Sequence, residues 1–191
     1  MVKPMETLYK GYRFRSRLEA RWAVFLDKLR VPYEYEPEGF NLGEAGCYLP
    51  DFRIKCYGYR GDCLMEHEPT ELYIEVKGHM TEEDAKKIEA FSEEHPVLVV
   101  GNIPGKDCST DSFEVGAYDG MDGTFIYPFN YETIDGDYFA AYPAADKYGH
   151  FYLFGDDSNY INEDDRELVE KAYATARQAR FEHGEMPGAR T

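Results

Sequence analysis

The sequence predicts an α/β protein, a mixed central sheet with helices packed against it. Three observations predict this. Apolar residues recur at helical spacing behind Ser16 and again behind Thr81. Short stretches of strand character lie at residues 33–36, 48–54 and 72–77. Val97-Leu98-Val99-Val100, between Pro96 and Gly101, is apolar without alternation, as in a strand covered on both faces. Residues 12–101 therefore read helix, strand, strand, strand, helix, strand.

Each element has a local reason. Ser16-x-x-Glu19 is a capping-box pattern that starts the first helix. At about 100° per residue, Leu18, Trp22, Phe25, Leu26 and Leu29 form one stripe, and Val31-Pro32 ends the helix. Tyr33 to Glu36 alternates aromatic and acid. Tyr48 to Ile54 reads as the next strand, with Pro50 marking a start, an edge or a bulge. Residues 55–70 form an excursion containing Gly, Cys and Tyr. Leu72 to Lys77 is the third strand, stopped at Gly78. Thr81 caps a helix running to about His95, with Ala85, Ile88 and Phe91 inward.

Residues 102–161 change character, with Gly, Asp, Pro and aromatics dominating. Short strands are expected at Phe113–Ala117, Thr124–Phe129, Tyr138–Tyr142 and His150–Phe154. A last helix is expected over Glu163–Glu182, capped by Asn162. Glu163, Asp164 and Asp165 lie at its positive end and Arg177 and Arg180 near its negative end. The tail from Gly184 is expected to fray. The expected organisation is a core over residues 8–101 and an acidic, aromatic-rich elaboration over 102–191 packed on it.

Composition narrows the function classes. The 191 residues are 43% hydrophobic, enough for a core. Seventeen Tyr and twelve Phe suit strands and half-buried surfaces. No apolar run approaches the ~18–20 residues that span a bilayer, and no apolar segment follows Met1-Val2-Lys3-Pro4, so neither a membrane span nor a signal peptide is expected. Cys47, Cys56, Cys63 and Cys108 are not a dense disulfide framework, and a reducing cytoplasm is the expectation. Cys56-x6-Cys63-x3-His67, with Cys47 upstream, is a poor zinc spacing.

The net charge of −16 is unevenly spread. Residues 1–60 hold eleven Lys and Arg against eight Asp and Glu, a balance of +3, while the remainder stands at −19. Lys10, Arg13, Arg15, Arg17 and Arg21 concentrate the positive charge. Such a group suits phosphate contact, although solvation explains it equally. Lys86 and Lys87, on the helix after Thr81, carry the same two alternatives. The acidic remainder can be solvated surface, can repel DNA from all but one face, or can engage a basic protein partner.

The chemistry is concentrated on one strand. Side chains alternate with period two, so Tyr73, Glu75 and Lys77 face one way and Leu72, Ile74 and Val76 the other. If the strand bearing Leu49, Asp51 and Arg53 pairs with it, Asp51 approaches Glu75. Two carboxylates suit Mg²⁺, a hard cation. An ion there lowers the pKa of a bound water and neutralises a phosphodiester transition state. Lys77 can donate to the attacking water or the phosphate. His79 is a weaker candidate for the same contacts.

Pro50-Asp51, twenty-three residues, then Glu75-Val76-Lys77 resembles the signature of the PD-(D/E)xK nuclease superfamily. Arg17-Leu18-Glu19 matches the acidic helix residue of many members. Arg15–Ala23, Tyr35–Phe40, Tyr48–Phe52 and Tyr73–Gly78 look like small nuclease-fold proteins of bacterial phages and mobile elements. The resemblance covers about residues 8–101. It implies a restriction-endonuclease-like fold and cleavage of DNA, with Asp51, Glu75 and the Val76 carbonyl on Mg²⁺ (Mn²⁺ substituting). It also implies Glu19 acting through water and Lys77 as a catalytic residue. One copy of the site cuts one strand at a time, so double-strand cleavage needs a homodimer. Each residue also has a structural alternative: Glu19 closing its capping box, Asp51 in a turn, and Glu75 with Lys77 as a solvated ion pair.

Overall fold

The computed structural model describes residues 5–59, 68–104, 125–126, 141–155 and 161–181. It begins with a hairpin that sequence patterning did not anticipate. Strands β1 (Thr7–Tyr9) and β2 (Tyr12–Phe14) pair antiparallel through Lys10 and Gly11. Both turn residues have positive φ, 46° and 87°, which Gly11 tolerates without a Cβ penalty.

Helix α1 (Arg17–Lys28) follows, with Ser16 as N-cap. Its stripe buries Trp22, Phe25, Leu26 and Leu29, and each such side chain stabilises by roughly 1.5–3 kcal/mol when fully covered. The helix stops in a Schellman arrangement. Arg30, at φ 60°, donates to Asp27 O, and Val31 donates to Leu26 O.

Next come β3 (Tyr33–Tyr35), β4 (Phe40–Asn41), a single 3₁₀ turn (Gly43–Ala45), β5 (Cys47–Tyr48), β6 (Phe52–Tyr59) and β7 (Thr70–Val76). The strand expected over Tyr48–Ile54 is broken in two. Its first residue, Tyr48, pairs with β4, and Leu49 to Asp51 leave the ladder before β6 begins. Pro50 has no N–H to give a ladder, which favours the break there. The expected excursion at 55–70 is shorter, because β6 runs on to Tyr59.

Helix α2 (Glu82–Ser92) and β8 (Val97–Val100) follow, the helix three residues shorter than expected. Then come β9 (Phe125–Ile126), β10 (Ala141–Ala145), β11 (Phe151–Gly155) and α3 (Glu163–Gln178). Of the strand expected over Tyr138–Tyr142, Ala141 and Tyr142 lie in β10, and residues 138–140 lie outside the described residues. The strand expected over Phe113–Ala117 and the tail from Gly184 lie outside the described residues. The last helix ends at Gln178 because Ala179 turns to an extended backbone, φ −62° and ψ 118°.

The protein is mixed α/β, with a curled mixed sheet and three α-helices among the described residues. The sheet order is β10-β11-β6-β7-β8-β9. β6 and β7 are antiparallel, with Phe52 opposite Ile74, so the expected neighbours do pair. β7 and β8 run parallel. The free edge of β6 is shared: β3 takes Phe52 to Ile54, and β11 takes Cys56 and Tyr59. Strands from the acidic half thus extend the same sheet at both ends.

Each face has its own apolar cluster. On one, Leu72, Ile74, Val76, Leu98 and Val100 pack with α1 and α3, where Phe25 stacks on Tyr173 at 4.5 Å. On the other, Tyr73, Val97 and Val99 pack with Ile88 and Phe91 of α2 and with Tyr48. β8 is buried on both faces, as its sequence predicted. Among the described residues no helix is long and apolar enough to cross a membrane.

Candidate active site

Three carboxylates meet where β7 ends. Glu19 arrives from the first turn of α1, Asp51 from the residue before β6, and Glu75 from the penultimate residue of β7. Their relative exposures are 6%, 2% and 2%. Buried acids are costly unless charge and hydrogen bonds compensate them, so the partners matter.

Asp51 Oδ2 accepts the Val76 main-chain N–H at 2.7 Å, and Oδ1 meets Arg15 Nη2 at 2.5 Å. The first contact follows from the broken strand. The β6–β7 ladder ends at Phe52, so the next inward-facing N–H of β7 takes the Asp51 side chain instead of a strand carbonyl. N–H and C=O of one strand residue point to the same side, so the Val76 carbonyl faces that edge too.

Glu75 Oε2 accepts the Tyr48 hydroxyl at 2.8 Å, and Oε1 lies 2.9 Å from Lys77 Nζ. The predicted sharing of one strand face is therefore observed. Lys77 Nζ also lies 2.9 Å from Asp84 Oδ1 of α2. Glu19 Oε2 accepts the Tyr35 hydroxyl at 2.7 Å and the Arg15 N–H at 3.0 Å. The Ser16 hydroxyl does accept Glu19 N–H, at 3.1 Å. The carboxylate, however, is turned inward, one residue past the N–H that a closed box would use.

Charge crowding is strongest at Asp51. Burial, then the Glu75 and Glu19 carboxylates, push its pKa from 3.8 up to about 8, against the opposing pull of the Val76 N–H and Arg15. At Lys77 burial pulls the other way, but Glu75 and Asp84 outweigh it and raise the ammonium to about 12. Lys77 is thus a fixed cation. Burial and the Glu75 carboxylate hold the Tyr48 phenol protonated well above its ordinary range.

A cavity of about 250 Å³ opens beside this cluster and reaches Glu75, while neither Asp51 nor Glu19 is among its lining residues. Arg15, Tyr48, Glu75, Lys77, Asp84 and Lys87 are among its lining residues. Of the expected phosphate-binding group, Arg15 is at the site, but as the counter-ion of Asp51. Arg13 lies on the β1–β2 hairpin, 3.5 Å from Glu6. Arg17 is half-buried in the first turn of α1, and Arg21 reaches Ala179 O on the α3 side. Lys86 is exposed and outside the cavity lining, which Lys87 joins instead. His79 is exposed just beyond β7.

Tyr35, Tyr48 and Asp84 were not anticipated as site residues. Thr81-x-x-Asp84 was legible as a cap pattern, but its link to Lys77 depends on how α2 folds back across β7. Of the zinc spacing, Cys63 and His67 lie outside the described residues. Cys47 is exposed, and Cys56 is buried on β6, where burial pushes its thiol up to about 11.

The donor set fits Mg²⁺ by its chemistry: a carboxyl group just before β6, a carboxylate near the end of β7 and a strand-end carbonyl, all hard oxygen ligands. Among the described residues, no three His, Cys, Asp or Glu side chains already stand in metal-holding geometry. One oxygen of Asp51 is taken by Arg15 and one of Glu75 by Lys77. The chain matches no family model, no curated protein and no solved structure.

Proposed function

We propose that this protein is a metal-dependent deoxyribonuclease of the PD-(D/E)xK type, with a restriction-endonuclease-like core, that hydrolyses DNA phosphodiesters endonucleolytically. One observation carries the proposal. Three carboxylates from three separate elements converge, nearly inaccessible, beside a lysine held at 2.9 Å from one of them. The fold does not require that arrangement, since apolar side chains at buried ion-pair positions are often as stabilising. Like charges brought together at a cleft are the usual mark of a functional site.

Asp51, Glu75 and the Val76 carbonyl would hold Mg²⁺ or Mn²⁺, with Glu19 reaching through water. The bound ion supplies a more acidic water and charge neutralisation at the phosphate. The chain's own residues do the rest. Lys77, fixed between Glu75 and Asp84, presents a permanent cation and donor where negative charge develops. Tyr48 holds the Glu75 carboxylate in one orientation. Tyr35 and the Arg15 N–H do the same for Glu19.

The test is incubation with supercoiled, branched and single-stranded DNA in Mg²⁺, in Mn²⁺ and in chelator. Cleavage that chelator abolishes, and that Asp51→Asn and Lys77→Ala lose, is the expected outcome. No cleavage of any substrate, or cleavage untouched by both substitutions, overturns the proposal. The −19 balance beyond residue 60 supports a second function, a nuclease-like scaffold whose acidic surface engages a basic protein. Charge reversal there that leaves partner capture unchanged removes that alternative.

A further inference from the structure

Resting on the metal site proposed above, the geometry points to Arg15 as a displaceable partner of Asp51: its guanidinium occupies Asp51 Oδ1 until a divalent cation takes that carboxyl group, then swings to the DNA phosphate.

Two cations hold the carboxylates, and they are held differently. Lys77 is 26% exposed and bridges Glu75 to Asp84, so it keeps one partner whatever happens at Glu75. The Arg15 side chain is 51% exposed, whereas the Asp51 side chain it contacts is 3% exposed. The guanidinium therefore reaches in from the surface to hold a buried carboxyl group.

The main chain of Arg15 is anchored, its N–H shared between Glu19 Oε2 and the Tyr35 hydroxyl, each at 3.0 Å. The side chain can therefore pivot about a fixed root. Its Nε lies 2.9 Å from Glu36 Oε1, a partner nearer solvent that remains when Asp51 is withdrawn. Arg15 also lines the cavity with Glu75 and Lys77, so the swing keeps it where a phosphate enters. A guanidinium and a divalent ion on one carboxylate repel each other. The freed planar fork matches phosphate oxygens.

Competition of this kind is reciprocal, so removing the guanidinium strengthens metal binding. Titration calorimetry of Mn²⁺ into wild type and Arg15→Gln measures it. Arg15→Gln is expected to bind Mn²⁺ about tenfold tighter, within the usual range of coupling between two ligands, and yet to cleave DNA more slowly at saturating Mn²⁺. Equal or weaker Mn²⁺ binding by the variant overturns the proposal.

Should Arg15→Gln not fold, Arg15→Lys serves, because it keeps the charge without the fork. A smaller gain, about threefold, is expected from it, and no gain overturns the idea. The wild type gives an independent readout. The Arg15 Nε–H nuclear magnetic resonance signal should shift on Mg²⁺ addition, and an unmoved signal counts against displacement. If wild type binds no Mn²⁺, the metal site and this inference fall together. If wild type binds it and Arg15→Gln binds no tighter, only the role of Arg15 falls.

Discussion

Helices α1 and α2 begin with the same pattern, a hydroxyl residue followed three positions later by an acid, and they use it differently. At α2 the box closes. Thr81 Oγ1 accepts Asp84 N–H at 3.1 Å, and Asp84 Oδ2 accepts Thr81 N–H at 3.0 Å, at an exposed corner. At α1 only half the box forms, because the Glu19 carboxylate is drawn inward to Tyr35 and the Arg15 N–H. A helix start that forgoes half its cap and buries an acid is doing something besides starting a helix. Even the closed box is not purely local, since the other oxygen of Asp84 holds Lys77.

The largest expected effects break this contrast on the side of chemistry. With the proposed nuclease activity, Glu75→Gln and Lys77→Ala should each lower the cleavage rate about 10³-fold, the size seen when a charge-stabilising group is removed. Glu19→Gln should cost about 10²-fold, the lower end of the same range. Glu82→Gln, in the first turn of α2, should leave cleavage unchanged. Single-turnover cleavage with each folded variant measures this. A Glu19→Gln variant that cleaves as fast as wild type would make α1 an ordinary capped helix.

The far end of α1 offers a structural counterpart. Gly149, at φ +87°, sits against the Arg30 carbonyl that follows the helix, and an added Cβ would lie 2.3 Å from that oxygen. Neither the φ nor the space suits a side chain. Gly149→Ala should therefore lower unfolding stability by about 2–3 kcal/mol, the usual cost of strain and overpacking, as read from urea denaturation. A shift below about 0.5 kcal/mol, the ordinary surface range, would mean that the turn after β10 is not seated on α1.

A separate effect follows from pH. The Asp51 carboxyl, pushed up to about 8 in the folded chain from an ordinary 3.8, keeps its proton where the unfolded chain has released it. Between those values the folded state binds more protons than the unfolded. Stability in chelator should therefore fall as pH rises from about 4 to 8. Asp51→Asn should flatten the profile, and Mg²⁺ should offset the fall. Denaturation midpoints across this range, with and without Mg²⁺, test it; a wild-type profile as flat as that of Asp51→Asn contradicts the charge crowding.

Much of this site was legible in the sequence, because period two placed Glu75 beside Lys77 and sequential pairing brought Asp51 alongside. What could not be read was long-range. Tyr48 and Tyr35 reach Glu75 and Glu19 across 27 and 16 residues, and no local pattern encodes those bonds. The break at Pro50 was signalled, but its consequence was not: Asp51 substitutes for a strand carbonyl at Val76. The helices were read well because amphipathic stripes are local. The β1–β2 hairpin escaped because Lys10-Gly11 lies between strands of only three residues, too short for alternation to register.

The smallest expected effects sharpen the cap contrast itself. Losing an N-cap hydroxyl costs about 1 kcal/mol on average, so Ser16→Ala and Thr81→Ala should both be modestly destabilising. Their consequences should then diverge. At Thr81 the surroundings are exposed, and water replaces the lost bonds. Asp84 keeps its ion pair with Lys77, so cleavage should stay within about twofold of wild type. At Ser16 the orphaned group is the N–H of Glu19, whose carboxylate sits 6% exposed among the acids. An unpaired buried N–H costs more than an exposed one, and the first turn that aims Glu19 loosens with it. Ser16→Ala should thus be the more destabilising of the two and should slow cleavage about five- to tenfold, the kinetic equivalent of the same 1 kcal/mol. Urea midpoints and cleavage rates of the two variants, measured together, decide it. If both are equally mild and equally active, the inward turn of Glu19 does not depend on its cap, and Tyr35 with the Arg15 N–H must hold it.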